Sequence, residues 1–202
     1  MKTFVATKNL GKLQEIKAIF ADSEIELDTY PLYVEAPEPE DNYAGNAESK
    51  AKSLWRQLRD AGVRGAVLAD DSGIEVAALG GRPGVMSARY AGKDRTWPTR
   101  REKLLEEVAN VPPDQRAAKF CCAMILILEN GEQFAGYGEV EGVLAAEESG
   151  RFGFGYDPVF WYPPAGETFA ELDEEEKNRV SHRRRAADAL MSALRASRSA
   201  NG

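Results

Sequence analysis

Two adjacent carboxylates follow an apolar run in the middle of the chain. The segment VLADDSGIEV places Asp70 and Asp71 directly after residues 66–69 and directly before a Ser-Gly pair. This pattern predicts a buried strand that ends at the two aspartates, whose side chains point to opposite faces. A carboxylate at such a strand end is a usual ligand of Mg²⁺, which takes one or two carboxylates and keeps water for phosphates. A solvated Asx turn is an equally good interpretation of these residues alone.

Basic side chains flank a predicted turn near the start of the chain. ATKNLGK runs from an expected strand into a helix that Asn9 can cap, with Lys8 and Lys12 beside the cap. Exposed N–H groups at a helix start, together with lysines, form an anion cradle. The glycines of a Walker A loop are missing, and a plain cap with solvated lysines fits this turn better when it is taken alone. Lys50, beside the apolar stripe of another predicted helix, either reaches a cleft or stays on the surface.

Two further motifs lie in the last quarter of the chain. FGFGYDP alternates aromatic residues with glycines, which suits either stacking on a base or a kinked strand with core aromatics. SHRRRA places three arginines and the only histidine at a helix start, where the helix dipole disfavours cations. An anionic or electron-rich group is therefore expected there, and arginine can donate two hydrogen bonds to a purine. An exposed charge run is the simpler interpretation of this motif alone.

Helices and strands that alternate early, followed by a long hairpin, must position these motifs. The expected strands are KTFVAT, IELDTY, AVLAD, KFCCAMILIL and QFAGYGEVEG, the last two joined by an Asn-Gly turn. Helices are expected after Asn9, over about 42–61, and in PTRREKLLEEVAN, LDEEEKNRV and SHRRRAADALMSALRA. The prediction is a mixed α/β protein whose central sheet is partly antiparallel and flanked by helices. Residues 1–202 are expected to form a single domain.

The composition limits the partners of the protein. Lys and Arg number 26 against 33 Asp and Glu, a net charge of -7, which disfavours nucleic acid and anionic lipid overall. No segment approaches the roughly 20 consecutive apolar residues of a membrane span, and the N-terminus does not resemble a secretory signal. With two neighbouring cysteines and one histidine, a zinc site is not expected. We therefore expect a cytoplasmic protein that binds neither nucleic acid nor membrane.

Five segments resemble, in order and spacing, the inosine triphosphate pyrophosphatase family, also called XTP/dITP diphosphatases. They are ATKNLGK, NAESKA, LADDSGIEVAALGGRPGVMSARYAG, FGYDPVF and EEKNRVSHRRRA. The resemblance runs from the first strand to the last helix. It implies a Mg²⁺-dependent hydrolase that converts ITP, dITP and XTP to the monophosphate and pyrophosphate, and so removes non-standard purine nucleotides from the pool. It also implies two lobes around a central cleft, and a homodimer.

The same resemblance implies a role for each matched position. Asp71 is implied as the general base and metal ligand, supported by Asp70. Glu38, or alternatively Glu40, is the second expected Mg²⁺ ligand. Arg183 and His182 are implied to contact the keto group at purine position 6. The substrate-binding residues implied in this way are Thr7, Lys8, Asn9, Leu10, Gly11, Lys12, Lys50, Ser72, Phe154, Gly155, Tyr156, Asp157, Lys177, His182 and Arg183.

Two positions depart from the family pattern. Lys8 stands where glycine is usual, and Gly45 stands where glutamate is usual before the asparagine of the second motif. Two alternatives therefore stay open. One is a non-catalytic purine nucleotide sensor that kept the pocket and lost turnover, and the other is a related pyrophosphatase for modified pyrimidine nucleotides.

Overall fold

The chain folds into a single mixed sheet with helices, as seen in a computed structural model that describes residues 1–38, 41–92 and 94–200. Within these residues the strands are β1 (Lys2–Val5), β2 (Glu26–Asp28), β3 (Ala66–Val76), β4 (Ala117–Ile127), β5 (Gln133–Leu144), β6 (Phe160–Tyr162) and β7 (Glu167–Thr168). Their order is β2-β1-β3-β4-β5-β6-β7. β1 pairs in parallel with β2 and β3, whereas β6 pairs antiparallel with β5 and β7. The predicted fold class is confirmed.

Five α-helices lie in the described part of the chain: α1 (Leu10–Ile19), α2 (Tyr43–Asp60), α3 (Trp97–Glu107), α4 (Glu174–Val180) and α5 (His182–Ala200). Their starts follow from local chemistry, because the Asn9 side chain accepts the Lys12 N–H and the Asn42 side chain accepts the Gly45 N–H. Gly62, with φ of 68°, follows the end of α2 in the left-handed conformation that often ends a helix. None of the described helices is long and apolar enough to cross a membrane.

The chain divides into two compact units. The first comprises Met1–Asp71, Cys122–Gly138 and His182–Gly202, and the second comprises Ser72–Cys121 and Glu139–Ser181. Each unit is built from separate stretches of the sequence. The single domain over residues 1–202 and the cleft implied by the resemblance stay predictions.

In the first unit, α1 and α5 pack on the sheet. Ile16 from α1 and Leu190 from α5 are fully buried in one apolar cluster with Leu68 of β3 and Met124 of β4. Apolar side chains at helical spacing drive this packing, since each removes its surface from water.

Two glycines of β5 determine how closely α5 approaches the sheet. A Cβ at Gly136 would stand 2.2 Å from the Ala186 carbonyl oxygen, and one at Gly138 would stand 2.3 Å from the Ala186 nitrogen. Such distances are impossible for a real side chain, so both positions require glycine while α5 lies here. The first turn of α5, with His182 and Arg183, is thereby held against β5.

The second unit has its own core. Phe120, Phe160 and Phe169 form its centre, with ring centroids 4.5, 4.8 and 5.9 Å apart. Leu104 of α3 is fully buried in the same cluster. Aromatic rings at these separations add to the stabilisation that burial alone gives.

The prediction that the central strand ends at Asp71 is wrong. β3 continues through Ser72 and Gly73 to Val76, and the Ser-Gly pair remains extended. The Ser87 side chain accepts the Ile74 N–H at 3.0 Å, and a Cβ at Gly73 would stand 2.2 Å from the Gly84 carbonyl oxygen. Glycine at position 73 permits the backbone near Gly84 to approach closely. Glycine has this role within strands as well as in turns.

Candidate functional site

The turn between β1 and α1 has the predicted geometry of a helix cap. Thr7 Oγ1 accepts the Asn9 N–H, and Asn9 Oδ1 accepts the Lys12 N–H, both at 3.1 Å. Leu10 and Gly11 form the first turn of α1, whose N–H groups point toward the start of the helix. Lys8 is exposed at the same turn. The local structure therefore matches an anion cradle, while phosphate binding by these residues stays a prediction.

A buried group of charges lies between α1, β3 and α5. Asp70 Oδ2 is 3.1 Å from Lys12 Nζ and accepts a hydrogen bond from Arg183 Nε at 3.2 Å. Arg183 Nη1 also donates to Glu15 Oε2 at 3.1 Å. Asp70 and Arg183 are each 2% exposed, so these ion pairs are removed from water. The arginine at the start of α5 is thus compensated by carboxylates of the chain itself.

The electrostatics of Asp70 follow from its partners. Burial raises the pKa of this carboxyl, but the charges of Lys12 and Arg183 outweigh burial and lower the pKa below its ordinary value of 3.8. Asp70 is therefore ionised at neutral pH. Its second oxygen, Oδ1, is buried and has no hydrogen-bond partner among the described residues.

Asp71 points away from Asp70 and contacts α2. Its Oδ1 accepts a hydrogen bond from Lys50 Nζ at 2.8 Å, and its Oδ2 accepts one from Asn46 Nδ2 at 3.2 Å. The Lys50 ammonium also contacts Glu38 Oε1. The two aspartates therefore serve opposite faces of the sheet, as the alternation of strand side chains predicts.

Burial sets the pKa of Asp71. Burial raises it, and the charges of Lys50 and Lys12 oppose this effect without cancelling it. For Lys50, burial lowers the pKa, but the nearby charges of Asp71 and Glu38 outweigh burial and raise it. Lys50 is therefore a cation at neutral pH, and the Asp71 carboxyl has a raised affinity for a proton.

The residues around Lys50 fit a divalent cation. Glu38 and Asp71 present two carboxylates to one small volume, which the Lys50 ammonium occupies. Oxygen ligands of this kind, with water completing the shell, suit Mg²⁺. Among the described residues there is no group of three or more His, Cys, Asp or Glu that could hold a metal. Glu40, the alternative ligand, lies outside the described residues.

In the second unit, the FGYDP motif and α4 come together. Asp157 Oδ2 accepts hydrogen bonds from Lys177 Nζ at 2.6 Å and from the Phe154 N–H at 2.7 Å. The Lys177 ammonium lies 4.8 Å from the centroid of the Phe154 ring. Asp157 and Lys177 are buried, so this pair and the aromatic ring form one fixed group.

The remaining predicted residues of these motifs lie in different surroundings. Tyr156 is in the core of the second unit, where its hydroxyl donates to the Ser87 carbonyl at 3.0 Å and its ring meets Trp97 edge-on. Gly155 has φ of 67°, and its carbonyl accepts from Arg101 at 2.8 Å. Ser72 is partly buried in β3. His182 is 2% exposed at the first residue of α5, in the first unit.

Sequence reasoning missed two buried polar residues. Glu15 lies three residues after Lys12 on α1 and binds Arg183, and Asn46 lies four residues before Lys50 on α2 and binds Asp71. Residues three or four apart share one face of a helix. That spacing, counted from Lys12 and Lys50, was the sequence signal that could have identified Glu15 and Asn46.

The fold and these charge clusters define an α/β protein with buried acid–base groups at both faces of one strand. The model of the Ham1 family matches residues 3–193. The chain belongs to the Ham1 family, and the family predicted from the sequence motifs is confirmed.

Relatives and solved structures agree with this assignment. The chain is 43% identical over 185 residues to the dITP/XTP pyrophosphatase of Geobacillus kaustophilus, covering 90% of this chain and 88% of that protein. It is 42% identical over 199 residues to the dITP/XTP pyrophosphatase of Clostridium tetani, covering 96% and 97%. The solved structure of the Staphylococcus aureus Ham1 protein superposes with a TM-score of 0.82 at 34% identity, covering 98% of this chain and all of that one.

Proposed function

We propose that this chain is a nucleoside triphosphate pyrophosphatase that hydrolyses dITP, XTP and ITP to the monophosphate and pyrophosphate. The observation that carries the proposal is the buried pair Asp70–Asp71, with Lys12 and Arg183 around one carboxylate and Lys50 on the other. In a chain with a net charge of -7, this is a local concentration of cations. Relatives 42–43% identical over most of the chain are named dITP/XTP pyrophosphatases, which supports the same reaction.

In the proposed reaction Asp71 accepts a proton from the attacking water. The water oxygen bonds to the α-phosphorus, the bond from that phosphorus to the bridging oxygen breaks, and pyrophosphate leaves with the bonding electron pair. Burial raises the proton affinity of Asp71, which suits a general base. Lys12 and Lys50 bind phosphate oxygens, and Thr7 and Asn9 hold the turn beside them. Asp71 and Glu38 would hold Mg²⁺, which when bound would supply positive charge that stabilises the leaving group.

The nucleobase of the substrate is selected by hydrogen-bond donors that contact a keto oxygen at purine position 6. Arg183 and His182 are assigned this role, and Arg183 is held in one orientation by Asp70 and Glu15. An adenine amino group would leave such a donor unpaired, which costs about 1–3 kcal/mol. We expect ITP to be favoured over ATP by about 5-fold to 150-fold from this contact alone.

We also propose a cofactor, an oligomeric state and a location for the enzyme. Mg²⁺ is the cofactor, the functional form is a homodimer, and the protein acts in the cytoplasm on free nucleotides. The net charge of -7 supports free nucleotides over nucleic acid as substrates.

The test is pyrophosphate release from ITP, XTP, dITP, GTP and ATP, each with Mg²⁺ and with chelator. Metal-dependent release from the first three, and little release from GTP and ATP, is expected. Tight binding of ITP without release would favour the nucleotide sensor. Preferential release from modified pyrimidine nucleotides would favour the second alternative.

A further inference from the structure

One carboxylate oxygen in the first unit is shared by two cations from different helices. Asp70 Oδ2 lies 3.1 Å from Lys12 Nζ, in the first turn of α1, and 3.2 Å from Arg183 Nε, in the first turn of α5. The side chains of Asp70 and Arg183 are only 1% and 3% exposed. At this burial Arg183 cannot exchange Asp70 for water without moving.

Lys12 and Arg183 differ in the carboxylates that contact them besides Asp70. Arg183 is also held by Glu15, whose Oε2 accepts from Nη1 at 3.1 Å. For Lys12, Asp70 is the only carboxylate within ion-pair distance among the described residues. The Lys12 side chain is 15% exposed, so it is also the member of the group that reaches toward solvent.

We propose that Asp70 is a positioning residue that places Lys12 and Arg183 together, so that phosphate binding and base selection depend on one carboxylate oxygen. The inference rests on the proposed function, in which Lys12 meets phosphate and Arg183 meets the base. A charged acceptor shared at about 3 Å fixes both donors more strongly than a neutral one does. Moving either cation therefore moves the other through Asp70.

The contacts of Glu15 provide a matched comparison. Glu15 contacts Arg183, and Lys12 is held by Asp70. Glu15→Gln should therefore lower the preference for ITP over ATP while keeping kcat/KM for ATP within about threefold of the unmodified protein. Asp70→Asn should lower both quantities, the preference by at least about fivefold and kcat/KM for ATP by at least about tenfold. A loss in Asp70→Asn of only one quantity, or an equal loss of both in Glu15→Gln, would overturn the proposal.

A second measurement needs neither turnover nor the Asp70 variant. The Nε–H resonance of Arg183, assigned with Arg183→Lys, should shift in Lys12→Met by more than its linewidth and stay in place in Lys8→Met, whose side chain is exposed in the same turn. An unshifted resonance in Lys12→Met contradicts the proposal. A shifted resonance in a protein that hydrolyses no nucleotide supports the role of Asp70 and refutes the pyrophosphatase function instead.

Discussion

The Lys50 ammonium occupies the place between two carboxylates that a divalent cation would take. It lies 2.8 Å from Asp71 Oδ1, contacts Glu38, and has a side chain only 13% exposed. Metal binding by Asp71 and Glu38 should therefore require Lys50 to move away, toward the phosphates of the substrate. Lys50→Met should remove this competition and bind Mg²⁺ more tightly in the absence of nucleotide.

The expected gain in Mg²⁺ affinity of Lys50→Met follows from these contacts. Two unit charges 4 Å apart interact by about 4 kcal/mol at an effective dielectric constant of about 20. If the Lys50 side chain moves aside as the metal binds, only part of this energy opposes the metal. We expect about 1.4–2.8 kcal/mol, which is a 10-fold to 100-fold gain in Mg²⁺ affinity.

Titration calorimetry with Mg²⁺ or Mn²⁺ at pH 8 measures this affinity. Lys52→Met is the control, because Lys52 on the same helix forms an exposed pair with Glu48 and should leave the affinity within about twofold. Turnover of ITP should move in the opposite direction and fall in Lys50→Met, since the proposed contact of Lys50 with phosphate would be lost. Mg²⁺ affinity in Lys50→Met that equals or falls below that of the unmodified protein would refute the reasoning.

Three further outcomes are expected. Asp71→Asn should lower kcat for ITP by about two to four orders of magnitude while the variant still binds nucleotide, since it loses a base; near-normal kcat would rule out that role. Asp157→Asn removes the carboxylate that lies 2.6 Å from the buried Lys177 ammonium and should cost about 3–5 kcal/mol in urea unfolding. Glu175→Gln, at an exposed pair, should cost under about 0.5 kcal/mol, and equal costs for the two variants would contradict this. Folding lowers the pKa of Asp70, so its contribution to stability is present above pH 3.8 and is lost as the pH falls further. Asp70→Asn should therefore flatten the acid side of a plot of unfolding free energy against pH. An unchanged slope would show that other groups control the acid dependence.

Local sequence signals were sufficient for the helix starts and for the five expected strands, but not for β6 and β7. Asn9 and Asn42 begin helices because a short side-chain oxygen satisfies an N–H that the helix leaves unpaired. The run KFCCAMILIL predicted a strand, and β4 is buried along nearly its whole length. These features depend on neighbouring residues only, so they can be inferred from the order of residues without the fold.

The end of β3 could not be inferred in this way. Ser72 and Gly73 have the composition of a turn, but the contacts of Gly73 with Gly84 and of Ile74 with Ser87 keep the strand extended. A residue thirteen positions away decides the local conformation there. Tertiary contact overrides local preference in such a segment.

The sequence by itself determined the family and the fold class, because motif spacing and apolar periodicity can be read from the order of residues. Only the tertiary structure decided which charges meet. Asp70 and Arg183 are 113 positions apart, and Glu15 and Arg183 are 168 apart. Their pairing requires α5 to lie close on β5, which the bare backbone of Gly136 and Gly138 permits. Burial then makes each ion pair specific, because a charge removed from water must find its partner inside the fold.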